Sequence, residues 1–296
     1  MDGATIKERL RQVAMANQMN YFAAAPVSRW QNAPAEHQPT DFLPTAKTVI
    51  VMGRRIPRGE LAANKTAYDG GVREGIFSYM IFGYNKLNDL LNKALYEVNR
   101  LLEEDLGAQN FLIPASTPRD EYQMMGVMSN RHAAVCAGLA AFGWNGLALT
   151  PDYGPKVRFC QIVTDLELPY DDMLEPNSLC DREKCRICID VCPVKAFPET
   201  DAHEFTIGDK SIRYAKLNRP LCRTGVTGLA KGSAGRLQAQ IPPGVSRVED
   251  WLEIAKGDDR YNKAERVASM CGRCMTQCPV GLKNTRSHPK QPTDAE

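Results

Sequence analysis

Eight of the ten cysteines form a two-part array, Cys180-x4-Cys185-x2-Cys188-x3-Cys192-Pro193, then Cys222, then Cys271-x2-Cys274-x3-Cys278-Pro279. Thiolates are soft ligands suited to iron, and closely spaced cysteines ending in Cys-Pro are the ligand runs of paired [4Fe–4S] clusters. In such runs the first three cysteines hold one cluster, while the cysteine before proline turns away to the other. Cys180, Cys185, Cys188 and Cys278 would then hold one cluster, and Cys192, Cys222, Cys271 and Cys274 the second. Two other chemistries use the same residue type. Disulfide frameworks belong to small secreted chains, whereas this one has 296 residues and opens on an amphipathic helix rather than a signal segment. Structural zinc also takes thiolates from CxxC pairs; that alternative stays open, with the crossed count and the two Cys-Pro ends favouring iron. Clusters that interleave their ligands lie close together, which makes them an electron relay in need of a donor and an acceptor.

The elements that must position this array fall on both sides of a composition shift near Pro176. Before it, Ile6, Leu10, Val13 and Ala14 share one face of a helix over residues 4–18, and residues 48–52 read as a buried strand. A long helix is expected over 84–105, with Leu87, Leu90, Leu91, Leu95, Val98, Leu101 and Leu102 as its apolar stripe. Strands are expected at 110–114, 147–150 and 156–164, and an alanine-rich helix over 131–142 closed by Gly143. The mixture makes the fold class α+β, with one domain at 1–175 and a second, cysteine-bearing domain at 176–296. The second contains a Gly/Pro-rich loop over 225–244, a short helix from Asp250 and a charged, proline-containing tail. Cys136 and Cys160, outside the array, read as small buried apolar residues.

With 43% hydrophobic residues the chain can bury a substantial core, so the cysteine array need not hold the fold together alone. A net charge of +2 advertises no global field for nucleic acid or membrane, and no apolar run approaches the length of a membrane span. Oxygen-sensitive clusters fit a reducing cytoplasm.

The run over 130–158, NRHAAVCAGLAAFGWNGLALTPDYGPKVR, followed by the strand ending Val163-Thr164-Asp165, resembles the core of the cobalamin-dependent reductases, a group containing epoxyqueuosine reductase and the reductive dehalogenases. Phe42-Leu-Pro-Thr-Ala-Lys-Thr-Val-Ile-Val51 resembles their early strand, and the cysteine array matches in order and in crossing. The resemblance spans about residues 5–285. It implies a nitroreductase-like α/β domain holding cobalamin base-off, followed by a ferredoxin-like domain whose two [4Fe–4S] clusters feed it electrons from an external donor such as a ferredoxin or flavodoxin. Reduced cobalamin, a strong nucleophile and reductant, would remove an oxygen or halogen from a small molecule or a modified tRNA nucleoside. Gly143, Trp144, Asn145, Gly146, Thr150, Tyr153 and Gly154 are the corrin contacts the resemblance implies; read locally, residues 143–146 are a helix stop and turn.

The departures concern the proton donor and the substrate. The family's acidic residue upstream of the Gly-Trp turn falls, on an ungapped count, at Val127, which cannot donate. Asp120, Glu121 and Tyr122 are the nearby candidates, with solvated loop residues as the alternative; His132 is a further candidate, or else a hydrogen-bonded helix residue. The chain stops about eighteen residues after Cys278, without the helical-repeat region found in some epoxyqueuosine reductases, which weakens tRNA binding. The other readings are a non-catalytic iron–sulfur protein that reduces a partner's corrinoid or another redox centre, and a first domain that holds flavin or is empty.

Overall fold

The structure is a computed structural model that describes residues 2–70, 74–116, 118–120, 125–226 and 270–281, of which 118–120 and 125 are described by backbone alone. Along the chain lie α1 (Gly3–Ala16), β1 (Tyr21–Pro26), α2 (Pro39–Phe42), β2 (Thr48–Arg55), α3 (Arg58–Tyr68), α4 (Glu74–Ser78), α5 (Lys86–Arg100), β3 (Asn110–Ile113), β4 (Pro118–Asp120) and β5 (Met125–Gly126). There follow α6 (Asn130–Cys136), β6 (Ala141–Phe142), β7 (Ala148–Leu149), β8 (Val157–Thr164), α7 (Ile187–Asp190), β9 (Ala202–Ile207), β10 (Lys210–Ala215), α8 (Arg219–Val226) and α9 (Arg273–Thr276).

The centre is a four-stranded antiparallel sheet in the order β1-β2-β8-β3, with Ile50 opposite Ile162 and Val49 opposite Val163. Strand alternation sorts its side chains into two cores. Val49, Val51, Phe159 and Val163 face α6, whose Ala133, Ala134, Val135 and Cys136 are buried there. Ile50, Met52, Cys160 and Ile162 face the other way, onto α1 and α5 through Leu10, Leu87, Leu91, Leu95 and Val98. Each of these large apolar side chains contributes about 1.5–3 kcal/mol by leaving water. The result is a mixed α/β fold with helices on both sheet faces. Cys136 and Cys160 are buried among these apolar groups.

α1 starts where the Asp2 carboxylate accepts from the Thr5 N–H at 2.8 Å, an N-cap that fixes the first turn. The long leucine-striped helix is present but is not uniform. α5 keeps α-helical hydrogen bonding only over Lys86–Arg100, and wider π-type turns flank it at Tyr79–Asn85 and Leu101–Asp105. The alanine-rich helix is a correction. It ends at Cys136, not Phe142, because Gly138 adopts φ +74° and a Cβ there would lie 1.9 Å from the Asp172 carbonyl oxygen. The chain freed by that stop forms β6, which pairs with β7.

The hairpin β9–β10, which lies after residue 175 in the chain, packs against the first part. Its Ile207 and Ile212 are buried in the same core as α6, with Phe205 and Tyr214 packed alongside. A smaller third core joins Trp144 from the first part to Ile189, Cys192, Ala196, Phe197 and Ala215. Of the loop expected at 225–244, Gly225 and Val226 end α8, and the rest, like the helix expected from Asp250 and the tail, lies outside the described residues. Among the described residues no helix is long and apolar enough to cross a membrane.

Candidate functional site

The eight array cysteines lie on or beside three short helices, with Cys188 in α7, Cys222 in α8 and Cys274 in α9. All ten cysteines of the chain are free thiols. The charges that the array thiols exert on one another divide them into two groups. Burial pushes Cys188 up to about 11, and Cys180, Cys185 and Cys278 add to the rise. Burial likewise raises Cys278, with Cys180 and Cys185 adding and Lys156 opposing. In the second group, burial pushes Cys222 up to about 12, with Cys271 and Cys192 adding. Burial lifts Cys274 well above the usual thiol range, with Cys222, Cys271 and Cys192 adding, and Cys188 as its link to the first group. Such thiols hold their protons until a cation displaces them, and a coordinated thiol is deprotonated outright. Among the described residues, no three His, Cys, Asp or Glu side chains form a ligand set for a metal ion.

The turn after β6 points at these thiols. The Trp144 N–H donates to Cys180 Sγ at 3.5 Å, its indole Nε1–H donates to the Pro198 carbonyl at 3.3 Å, and its side chain is buried. The guanidinium carbons of Arg182 and Arg213 lie 5.0 and 5.2 Å from the indole ring centroid. Asn145 Nδ2 donates to the Cys274 carbonyl at 3.4 Å, and Arg131 Nη1 donates to the Gly146 carbonyl at 2.8 Å. Gly143 accepts from Gly146 N–H at 2.9 Å, closing the turn. Thr150 Oγ1 donates to the Gly154 carbonyl at 3.2 Å, and the Tyr153 ring packs edge-on against Tyr21 with centroids 6.0 Å apart. Residues 143–154 are thus a joint between the sheet and the cysteine segments, with several of their polar groups engaged by the protein itself.

His132 sits in a cage of Phe142, Phe205 and Tyr214. Its Nδ1 pairs with Ser129 Oγ at 2.7 Å and its Nε2 with the Tyr214 hydroxyl at 3.3 Å, so both ring nitrogens are engaged. Burial pushes its pKa down to about 3, with the positive charges of Arg131, His203 and Arg219 adding, so the ring is neutral near pH 7. Asp120 ends β4, and Glu121 and Tyr122 lie outside the described residues. Val127 lines a cavity of about 470 Å³ with Glu36, Asp41 and Phe42. His37 Nδ1–H donates to the Val127 carbonyl at 2.7 Å, and Asp41 Oδ2 accepts from the Gln38 N–H at 2.9 Å. The sequence reading passed over Glu36 and Asp41, because nothing local ties them to a residue some ninety positions away. It also passed over Lys156, although a lysine one residue ahead of a buried apolar strand is a signal in itself.

No family model matches the chain. An epoxyqueuosine reductase from Bacillus subtilis (strain 168) is 28% identical over 260 residues, covering 87% of this chain and 54% of the relative. A tetrachloroethene reductive dehalogenase from Desulfitobacterium hafniense is 44% identical over 66 residues, covering 21% of this chain and 11% of the relative. The chain spans about half the length, or less, of the curated relatives it matches. A crystal structure of epoxyqueuosine reductase with an epoxyqueuosine-modified tRNA-Tyr stem loop aligns with TM-score 0.54 and 16% identity, covering 96% of this chain and 68% of that one. A reductive dehalogenase structure described as suggesting a mechanism for B12-dependent dehalogenation aligns with TM-score 0.53 and 12% identity, over 93% of this chain and 35% of that one. This chain therefore has homologues named epoxyqueuosine reductase and reductive dehalogenase, both oxidoreductases, and solved structures of both kinds share its fold.

Proposed function

We propose that this protein is a cytoplasmic iron–sulfur and corrinoid-dependent reductase that removes an oxygen or a halogen from its substrate. In this reading residues 1–175 are a nitroreductase-like cofactor domain and 176–296 a ferredoxin-like domain. The observation that carries it is the division of the thiols. Cys180, Cys185 and Cys278 act on Cys188, and Cys271 and Cys192 act on Cys222, with Cys188 also acting on Cys274; these neighbourhoods support the grouping that two interleaved [4Fe–4S] clusters require. The array thiols, Cys192 buried and the other seven half-buried, with none in a disulfide, are the donor type that a cluster takes.

The corrinoid stands differently. A reduced corrinoid supplies a nucleophilic, strongly reducing metal to the substrate, chemistry the side chains lack. Trp144, Asn145 and Thr150 direct their hydrogen bonds to Cys180, Pro198, Cys274 and Gly154, which fits a joint better than a set of free donors to a corrin. The chain's own groups would bind substrate, exclude water and deliver a proton. Tyr122, Glu121 and Asp120 remain the proposed donors, and Glu36 and Asp41 add two carboxyls in the cavity beside Val127. His132, caged and neutral, serves as a positioning group for α6.

The named enzymes among the homologues weigh against a bare electron carrier. An external low-potential donor supplies the electrons, and the substrate is a small molecule or a modified tRNA nucleoside. The test is anaerobic reconstitution followed by assays of iron, sulfide, cobalt and flavin, with visible and EPR spectra recorded with and without cobalamin. About eight irons per chain together with corrinoid uptake support the reductase. The same iron content with no uptake of corrinoid or flavin favours the carrier, and zinc in place of iron sinks both.

A further inference from the structure

We infer that Lys156 is the buried counter-charge of the cluster that Cys278 helps to hold, raising that cluster's potential and clamping its polypeptide to the sheet. The inference rests on the proposed function above.

The Lys156 residue is 8% exposed at the entrance to β8. Its Nζ donates to the Cys278 carbonyl at 2.9 Å and to the Val280 carbonyl at 3.0 Å. Those neutral acceptors satisfy its protons but do not neutralise its charge, and among the described residues no carboxylate pairs with it. A buried ammonium is strongly disfavoured without a nearby negative charge. The negative charge that would answer it is that of the cluster beside it, because Cys278, whose carbonyl Lys156 holds, loses its proton on coordination. Four thiolates around an iron–sulfur core leave the assembly anionic, and each electron accepted deepens that charge. A fixed cation alongside therefore stabilises the reduced form more than the oxidised one, and the potential rises. The step is one electron from the external donor onto the cluster, with no proton transferred and no bond broken.

The backbone around Lys156 is built for this contact. Gly154 has φ +56°, and a Cβ on it would lie 2.2 Å from the Val280 carbonyl oxygen. Gly281 has φ +75°, and a Cβ on it would lie 2.3 Å from the Tyr153 carbonyl carbon. The two strands of chain meet where only glycine fits on either side, and the lysine two residues beyond Gly154 closes the joint with its two hydrogen bonds. Neither the cysteine spacing nor the alternation of β8 accounts for an ammonium at this position.

The test compares the full chain with Lys156→Gln, which keeps donors but not charge, and Lys156→Arg, which keeps both. Each is reconstituted anaerobically, assayed for iron and sulfide, and titrated with dithionite under EPR. In Lys156→Gln, one of two clusters should show a reduced-to-oxidised ratio about tenfold lower at the wild-type midpoint, a shift of about 59 mV to the negative. The other cluster should not move, and Lys156→Arg should restore the first. If Lys156→Gln assembles about half its iron while Lys156→Arg assembles all of it, the clamp is supported by occupancy instead. Unmoved potentials with full iron overturn the role of Lys156 and leave the clusters standing, as does an equal shift of both. A wild-type chain that takes up no iron overturns the proposed function and this inference with it.

Discussion

The backbone N–H of Trp144 donates to Cys180 Sγ at 3.5 Å, and the indole of the same residue holds that amide in place. The ring is buried against Ile189, Cys192 and Phe197, bonded to Pro198 and approached by two guanidinium groups. An N–H aimed at a cluster sulfur delocalises its negative charge and raises its potential. A residue of the turn after β6 thus reaches the first cysteine of the array. The cysteine segments and the turn after β6 are joined by a hydrogen bond as well as by packing.

Removing that ring tests the joint. Trp144→Ala should destabilise the protein by about 3–5 kcal/mol, the usual cost of emptying a large buried site, and should leave the Pro198 carbonyl without its donor. Iron loss to a chelator should be faster than in wild type. Trp144→Phe keeps most of the packing and should show a clearly smaller effect. Equal behaviour of the two would mean that the indole fixes nothing.

Ligand crossing is tested by single cysteine changes. Cys278→Ala should disturb the cluster of Cys180, Cys185 and Cys188, since those are the thiols with which it interacts. Iron should fall from about eight towards about four per chain, and the EPR signal that survives should match the one lost in Cys271→Ala. A Cys278→Ala protein that loses the same signal as Cys271→Ala would overturn the interleaved assignment.

Much of this arrangement is legible in the sequence because it is local. β2 and β8 follow from continuous apolar stretches, and α5 from its leucine period. β1 escaped notice because alanines at its centre have weak strand preference, although all three are buried. The hairpin β9–β10 carried a signal that was passed over. Its strands turn at Gly208-Asp209 with Gly208 at φ +56°, a two-residue hairpin turn. α6 was read through Gly138 because alanine favours helix on both sides, and the close approach of Asp172 that requires glycine there is a tertiary fact. The cavity partners of Val127 and the carbonyls around Lys156 come from distant parts of the chain, which no spacing rule reaches.

His132 predicts an acid-sensitive stability. Its folded pKa, pushed down to about 3, lies below the ordinary imidazole value of 6.5, so the unfolded chain binds the extra proton first. The stabilisation is complete above about pH 6.5 and is lost as pH falls from there towards about 3. His132→Phe should flatten that part of the stability profile, measured by denaturant unfolding across the window. In wild type the ring's NMR signals should not titrate around neutrality. A His132 resonance titrating near 6.5 would contradict the neutral, caged ring.

The proton donor can be decided by two substitutions. A general acid contributes about 10²–10⁴ in rate, so Tyr122→Phe should lower turnover by at least about a hundredfold while iron and cobalt contents stay at wild-type levels. Turnover is read as halide release from an organohalide or as deoxygenation of an epoxide, with a reduced dye supplying electrons. Asp41→Asn probes the other possibility, because Asp41 shares a cavity with Val127. Gln38 N–H can still donate to the asparagine oxygen, so the turn at α2 should survive the change. Loss of turnover in Asp41→Asn with none in Tyr122→Phe would move the donor from Tyr122 to Asp41. Activity retained in both would exclude both residues, leaving Glu36, Glu121 and Asp120 as the acids to test.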